Sequence, residues 1–131
     1  MVATFLGETS SFHGVVESDT DGVAHVAMKD GFRATLKHNS DIAEGNDVMV
    51  TIRPEAVSTT AQRPDQEENV VAGVVDFVSY LGAHVVYIIR VDGSGAIIKS
   101  NEPIPSGEPS FAQGDRVFAY WDIDHVVYVR A

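Results

Sequence analysis

Apolar and polar residues alternate along most of this chain, and the alternation has period two. Val48, Val50 and Ile52 take turns with Met49, Thr51 and Arg53, the pattern of a strand with one buried face. Pro54 ends that strand, because it has no N–H for a ladder and holds the residue before it extended. In extended chain Arg53 and Glu55 project to the same side, where they can pair with each other or with a neighbouring element. The same reading predicts strands over 13–17, 23–28, 32–36, 70–80, 84–91, 96–100, 116–121 and 125–130. Turn-forming stretches separate them: Ser18-Asp19-Thr20-Asp21-Gly22, Lys29-Asp30-Gly31, Leu81-Gly82-Ala83 and Asp92-Gly93-Ser94-Gly95. Gly73 falls inside a strand and marks a bulge or bend.

About nine to ten short strands, with no long amphipathic helix, predict an all-β barrel or sandwich. Residues 58–69, STTAQRPDQEEN, have the composition of a polar linker and divide the chain into halves 13–57 and 70–131. Two groups of about five strands suit small barrels sharing one core. No sequence repeat between the halves is strong enough to show a duplication. Residues 101–115, with Pro103, Pro105 and Pro109, read as a long loop. Within 1–12 the apolar cluster Val2, Phe5 and Leu6 has no cap or signal pattern, and is expected to be a connector from an upstream segment.

Composition narrows the function. The 131 residues carry 44% hydrophobic positions and no cysteine, which permits a core and excludes disulfides and thiolate metal sites. Nine Lys+Arg stand against nineteen Asp+Glu, a net charge of −10. Nucleic acid and anionic membrane are bound by cationic neutralisation of phosphates, so neither is expected as a partner. An acidic surface favours solubility and attracts cations, organic ones included.

Catalytic motifs are not found. Gly93-Ser94-Gly95-Ala96-Ile97-Ile98-Lys99-Ser100 superficially looks like a phosphate-binding loop, but Ile98 stands where a glycine must precede the lysine. It is read as a hairpin turn. Asp19-Thr20-Asp21-Gly22 opens like a calcium loop yet lacks the later ligands. His13, His25, His38, His84 and His125 are scattered without metal-ligand spacing. No serine sits in a nucleophile elbow. Tyr80, Tyr87, Tyr120, Trp121 and Tyr128 could form a stacking surface, but their strand positions suit core packing or interfaces. Trp121 beside Asp122, at a strand end, is expected to offer a surface to a protein partner.

Four blocks, in order, resemble one family. Val2 to Thr9 is similar to the segment joining an ATPase core to a following region. Ile52-Arg53-Pro54-Glu55 matches an Arg-Pro-Glu signature, and Val78-Ser79-Tyr80-Leu81-Gly82 is similar to the next block. Gly114-Asp115-Arg116-Val117 with Trp121 resembles the last. Together they resemble the C-terminal regulatory region of ATP-binding subunits of bacterial ABC importers, the TOBE (transport-associated OB) domain, with polyamine (spermidine/putrescine) and ferric-ion importer subunits nearest.

The resemblance implies a mixed OB-type β-barrel region over 13–131, with strands from both halves, and a non-catalytic role in regulation and dimer support. ATP and Mg would belong to an ATPase domain absent from this chain. The implied partners are a second copy of the subunit, membrane permease subunits and a small-molecule solute, at the cytoplasmic face of the membrane. Arg53, Glu55, Tyr80 and Trp121 are the candidate regulatory or interface residues. The alternative is a free-standing barrel that binds a small ligand or oxyanion, of the molybdate-binding type.

Overall fold

A computed structural model describes residues 10–29, 31–38, 42–104 and 110–130. The connector expected over 1–12 therefore lies mostly outside the described residues, and Ser10 to Phe12 open the first strand. Ten strands follow in order: β1 Ser10–Thr20, β2 Val23–Met28, β3 Arg33–Lys37, β4 Asp47–Ile52, β5 Ser58–Thr60, β6 Val70–Leu81, β7 His84–Val91, β8 Ile97–Pro103, β9 Arg116–Tyr120 and β10 Val126–Arg130. The fold is all-β and OB-type, with α-helix absent among the described residues.

Alternation sets the strands' inner faces. In β4, Val48, Val50 and Ile52 are fully buried while Met49 and Thr51 are half-exposed, and β2 repeats the rhythm with Ala24, Val26 and Met28 inside. Each inward valine or isoleucine contributes about 1.5–3 kcal/mol relative to exposure. The inward faces of all strands but β5 meet in a single core cluster.

The strands form two five-stranded antiparallel sheets, ordered β10-β4-β1-β2-β3 and β5-β9-β6-β7-β8. The order repeats a single plan. Three strands form a meander, the fourth pairs with the first, and a fifth pairs with the fourth. That fifth strand comes from the other half: β5 follows β4 in the chain but pairs with β9, and β10 follows β9 but pairs with β4. The sheets thus depart from the division expected at 58–69. Ser58–Thr60, read as linker, is a strand, and Val126–Arg130 belongs to the first sheet. The polar side chains of Ser58, Thr59 and Thr60 hid the strand, whose backbone is taken up by β9.

The two units match in detail. Gly14-Val15-Val16-Glu17 corresponds to Gly73-Val74-Val75-Asp76, and a bulge follows both, between Val16 and Ser18 and between Val75 and Phe77. The Val16 N–H donates to the Asn46 carbonyl as the Val75 N–H donates to that of Asp115. Gly45 to Val57 corresponds to Gly114 to Val126 at constant spacing, which places Ile52 on Trp121 and Arg53 on Asp122. The chain is a structural duplication with its fifth strands exchanged.

Side chains close each sheet toward a barrel. In the first, Lys37 Nζ at the end of β3 lies 2.7 Å from Asp124 Oδ1, just before β10. In the second, the Thr59 N–H of β5 donates to Glu102 of β8 at 2.9 Å, and the buried Ser100 hydroxyl lies 3.0 Å from the Val57 carbonyl.

Candidate functional site

The Arg-Pro-Glu sequence sits at the first crossover. Pro54–Ala56 forms a single 3-10 turn between β4 and β5, with the Val57 N–H donating to the Pro54 carbonyl. The ring of Pro54 is buried, while the side chains of Arg53 and Glu55 are 68% and 61% exposed and 3.9 Å apart. The rigid residue faces the core and the charged pair faces outward. The second crossover has the same shape: Ile123–His125 makes a 3-10 turn, and the Asp122 carboxylate caps it by accepting from the Asp124 N–H.

Trp121 is a correction. Expected as a partner surface, it is 1% exposed and stacks edge-on against Phe32, which in turn meets Phe12. The cause is its place in the duplication. It holds the position of Ile52, whose side chain points inward, so the second unit's tryptophan fills the first unit's barrel. Among the described residues its indole N–H has no hydrogen-bond partner.

Tyr80 stays outside, 61% exposed near the tip of the β6–β7 hairpin. Among the described residues no hydrogen bond, ion pair or ring contact joins Tyr80 or Trp121 to the Arg53–Glu55 pair. The four residues do not form one site.

Two places gather other groups. At the junction of the units, Asn69 is buried with φ of 58°, a left-handed conformation that asparagine tolerates. Its amide accepts from the Thr35 N–H at 2.8 Å and donates to the Thr35 carbonyl at 3.0 Å. The Asn69 carbonyl accepts from the backbone N–H of Trp121 at 3.0 Å, and the Gln66 amide lies 3.0 Å from the Trp121 carbonyl. A cleft of about 490 Å³ opens beside this junction, lined by His25, Thr35, Glu67, Glu68 and Asn69. The second place is a cleft of about 340 Å³ lined by Phe77, Tyr80, Phe111 and Asp115.

Sequence reasoning missed Asn69 and Gln66. They lie at the end of a polar run that reads as linker, and only the left-handed turn reveals their role. No group of three or more His, Asp or Glu among the described residues is placed to hold a metal. None of the described helices is long and apolar enough to cross a membrane.

The shifted ionisations are structural. Hydrogen bonding to Lys37 and its positive charge hold the Asp124 carboxyl below its ordinary range, and Asp124 in turn raises Lys37. Arg90 is raised by its hydrogen bonds to Asp76.

Comparison with known proteins now bears on this arrangement. The chain is 28% identical over 128 residues to the spermidine/putrescine import ATP-binding protein of Trichodesmium erythraeum, covering 92% of this chain and 32% of that protein. The Thermotoga maritima protein of the same description is 29% identical, covering 93% and 34%. The putrescine transport ATP-binding protein of Escherichia coli is also 29% identical, covering 95% and 34%. The chain thus spans about a third of the length of the curated relatives it matches. Among solved structures, the cytoplasmic molybdate-binding protein ModG superposes with a TM-score of 0.77 at 15% identity, covering 93% of this chain and 96% of that one. That likeness shows a shared fold. The TOBE domain model matches residues 50–129, from β4 through β10, and this chain belongs to the TOBE domain family.

Proposed function

We propose that this chain is the non-catalytic regulatory and dimer-supporting domain of an ABC importer's ATP-binding subunit that serves polyamine uptake. The observation that carries this is the similarity to spermidine/putrescine import ATP-binding proteins along 92–95% of the chain. Those proteins are about three times as long, so ATP and Mg would be handled by a part this chain does not contain. The partners would be a second copy of the subunit and the membrane permeases, at the cytoplasmic face. The domain's physical task would be to hold two subunits together and bias their closure. A solute bound here shifts that balance only through unequal affinity for the two states.

The test is made in the full transporter. Removing residues 10–130 from the parent subunit should leave nucleotide binding intact and lower the dimer's stability and the control of transport. Unchanged dimerisation together with unchanged transport would sink the proposal.

A second reading, a free-standing oxyanion-binding barrel, is favoured by the fold shared with ModG. Titration calorimetry with molybdate decides it. Saturable heat with molybdate and none with spermidine or putrescine would move the assignment to that class.

A further inference from the structure

The duplication supplies an internal control, because one plan is built twice in one chain. Where the units differ without structural need, the difference points to use. One such difference among the described residues lies at the second unit's hairpin. Beyond the shared bulge, residues 19–24 close the first hairpin between Ser18 and His25, whereas the longer run 78–87 closes the second between Phe77 and Ile88. The first hairpin is polar, with Ser18, Asp19, Thr20 and Asp21. The second replaces Ser18 by Phe77 and carries Tyr80 and Leu81 in its added length, all exposed, at 56%, 61% and 43%.

A third ring is brought to the same place and fixed there. Phe111 holds the position of Ile42 in the first unit. The buried Tyr87, where the first unit has Ala24, accepts from the Ser110 and Phe111 N–H groups at 2.9 and 3.3 Å and meets the Phe111 ring edge-on at 5.6 Å. Phe77, Tyr80 and Phe111 thereby line one open cleft with the exposed carboxylate of Asp115, which also accepts from the Ala112 N–H. Among the described residues no lysine or arginine lines the cleft, and Arg90 and Arg116 are held by Asp76 and Asp92.

Aromatic faces attract cations through the ring quadrupole, and a carboxylate beside them adds charge. A volume of about 340 Å³ lies within the range of small-molecule sites. We propose that this cleft binds a small organic cation, an alkylammonium whose chain lies against Phe77, Tyr80 and Phe111 while its charge meets Asp115. This assignment does not rest on the importer reading. A chain with another parent would bind the same class of ligand.

The experiment is an amide NMR titration of the 131-residue chain with n-butylammonium chloride, against n-butanol and against sodium chloride at equal ionic strength. Saturable shifts confined to 76–84 and 110–115 are expected with the ammonium only. Phe77→Ser, which installs the residue the first unit uses, should weaken binding about two- to fivefold, as should Tyr80→Ala in the added hairpin length. Asp115→Asn keeps an oxygen for Ala112 and should weaken binding similarly. The proposal is overturned if butanol binds as tightly as the ammonium, if no shift saturates, or if both ring variants bind like the parent. It is equally overturned if raising protein concentration alone moves the same signals, because a second copy would then be the occupant.

Discussion

Asn69 uses its side-chain amide to complete the backbone of Thr35, accepting from its N–H and donating to its carbonyl. Thr35 lies in β3, the edge of the first sheet. One buried side chain from the second unit thus acts as a short piece of missing strand. The same residue's carbonyl holds the N–H of Trp121, so the junction is fixed at both ends.

Asn69→Ala should therefore be costly. It leaves both Thr35 backbone groups buried without partners, and each such group costs about 1–3 kcal/mol. A net loss of about 2–4 kcal/mol is expected, read as a fall in the urea midpoint with unchanged slope. Asn69→Asp retains the acceptor and loses the donor, and should fall between the two. A loss below about 0.5 kcal/mol for the alanine variant, the range of ordinary surface changes, would show that water replaces the amide at no cost.

Arg53→Ala and Glu55→Ala should each change stability by less than about 0.5 kcal/mol, because both side chains are mostly exposed and their pairing is loose. Pro54→Ser should cost more, since it removes a buried ring and frees the crossover turn. The three variants compared by thermal unfolding separate the outward pair from the inward proline. Equal losses at all three positions would contradict this division.

Gly73→Ala should be more damaging than Gly14→Ala, although the two glycines are equivalent. A β-carbon on Gly73 would stand 2.4 Å from the Arg90 carbonyl oxygen, a backbone atom that can move only with its strand. On Gly14 the nearest atom is a methyl of Val26 at 2.6 Å, on a side chain, and the backbone oxygen of Ala27 stands farther off, at 2.9 Å. Overpacking of this kind costs about 1–3 kcal/mol, with Gly73 at the upper end. Urea unfolding of both variants tests the ranking.

The Lys37–Asp124 pair closes the first sheet, and its pH dependence has a fixed sign. The Asp124 carboxyl is lowered, so its contribution is present above the ordinary value of 3.8 and is lost as pH falls through the folded value. Lys37 is raised from 10.5, so its contribution is complete below that value and is lost as pH rises through the folded value. Between these limits the contribution is flat. The difference in urea midpoint between parent and Asp124→Asn should be constant near neutrality, vanish at low pH and shrink in high salt. A difference that grows on acidification would refute this.

Strands were legible where side chains alone decide them. Patterning gave β2 to the residue and β4 within one position, and β-branched content gave β7 to the residue, because each has one face wholly in the core. β5 was not legible. Ser58-Thr59-Thr60 carries no apolar pattern, and its pairing with β9 is a property of a distant backbone. Trp121 was misread from its neighbour Asp122. The correspondence of Gly114–Val126 with Gly45–Val57 contains the answer, since it sets the tryptophan on an inward isoleucine. Tyr80 was legible only as an aromatic suited to core or interface, and its company was not legible at all: Phe111 and Asp115 approach it only through the fold. Asn69 looked like one more polar linker residue, and its left-handed backbone leaves no trace in a single sequence.

The exchange of fifth strands also sets the order in which the molecule can be finished. Synthesis runs from the N-terminus, so β1 to β4 emerge first, yet their sheet lacks the strand that pairs Val126 with Ile52 through Arg130 with Val48. The second sheet has no such wait, because β5 precedes the other four. Until its last-made strand arrives, the first-made sheet carries β4 as an open edge, the kind of surface on which another chain can pair. Within this chain, the residues made first are thus among the last to be secured.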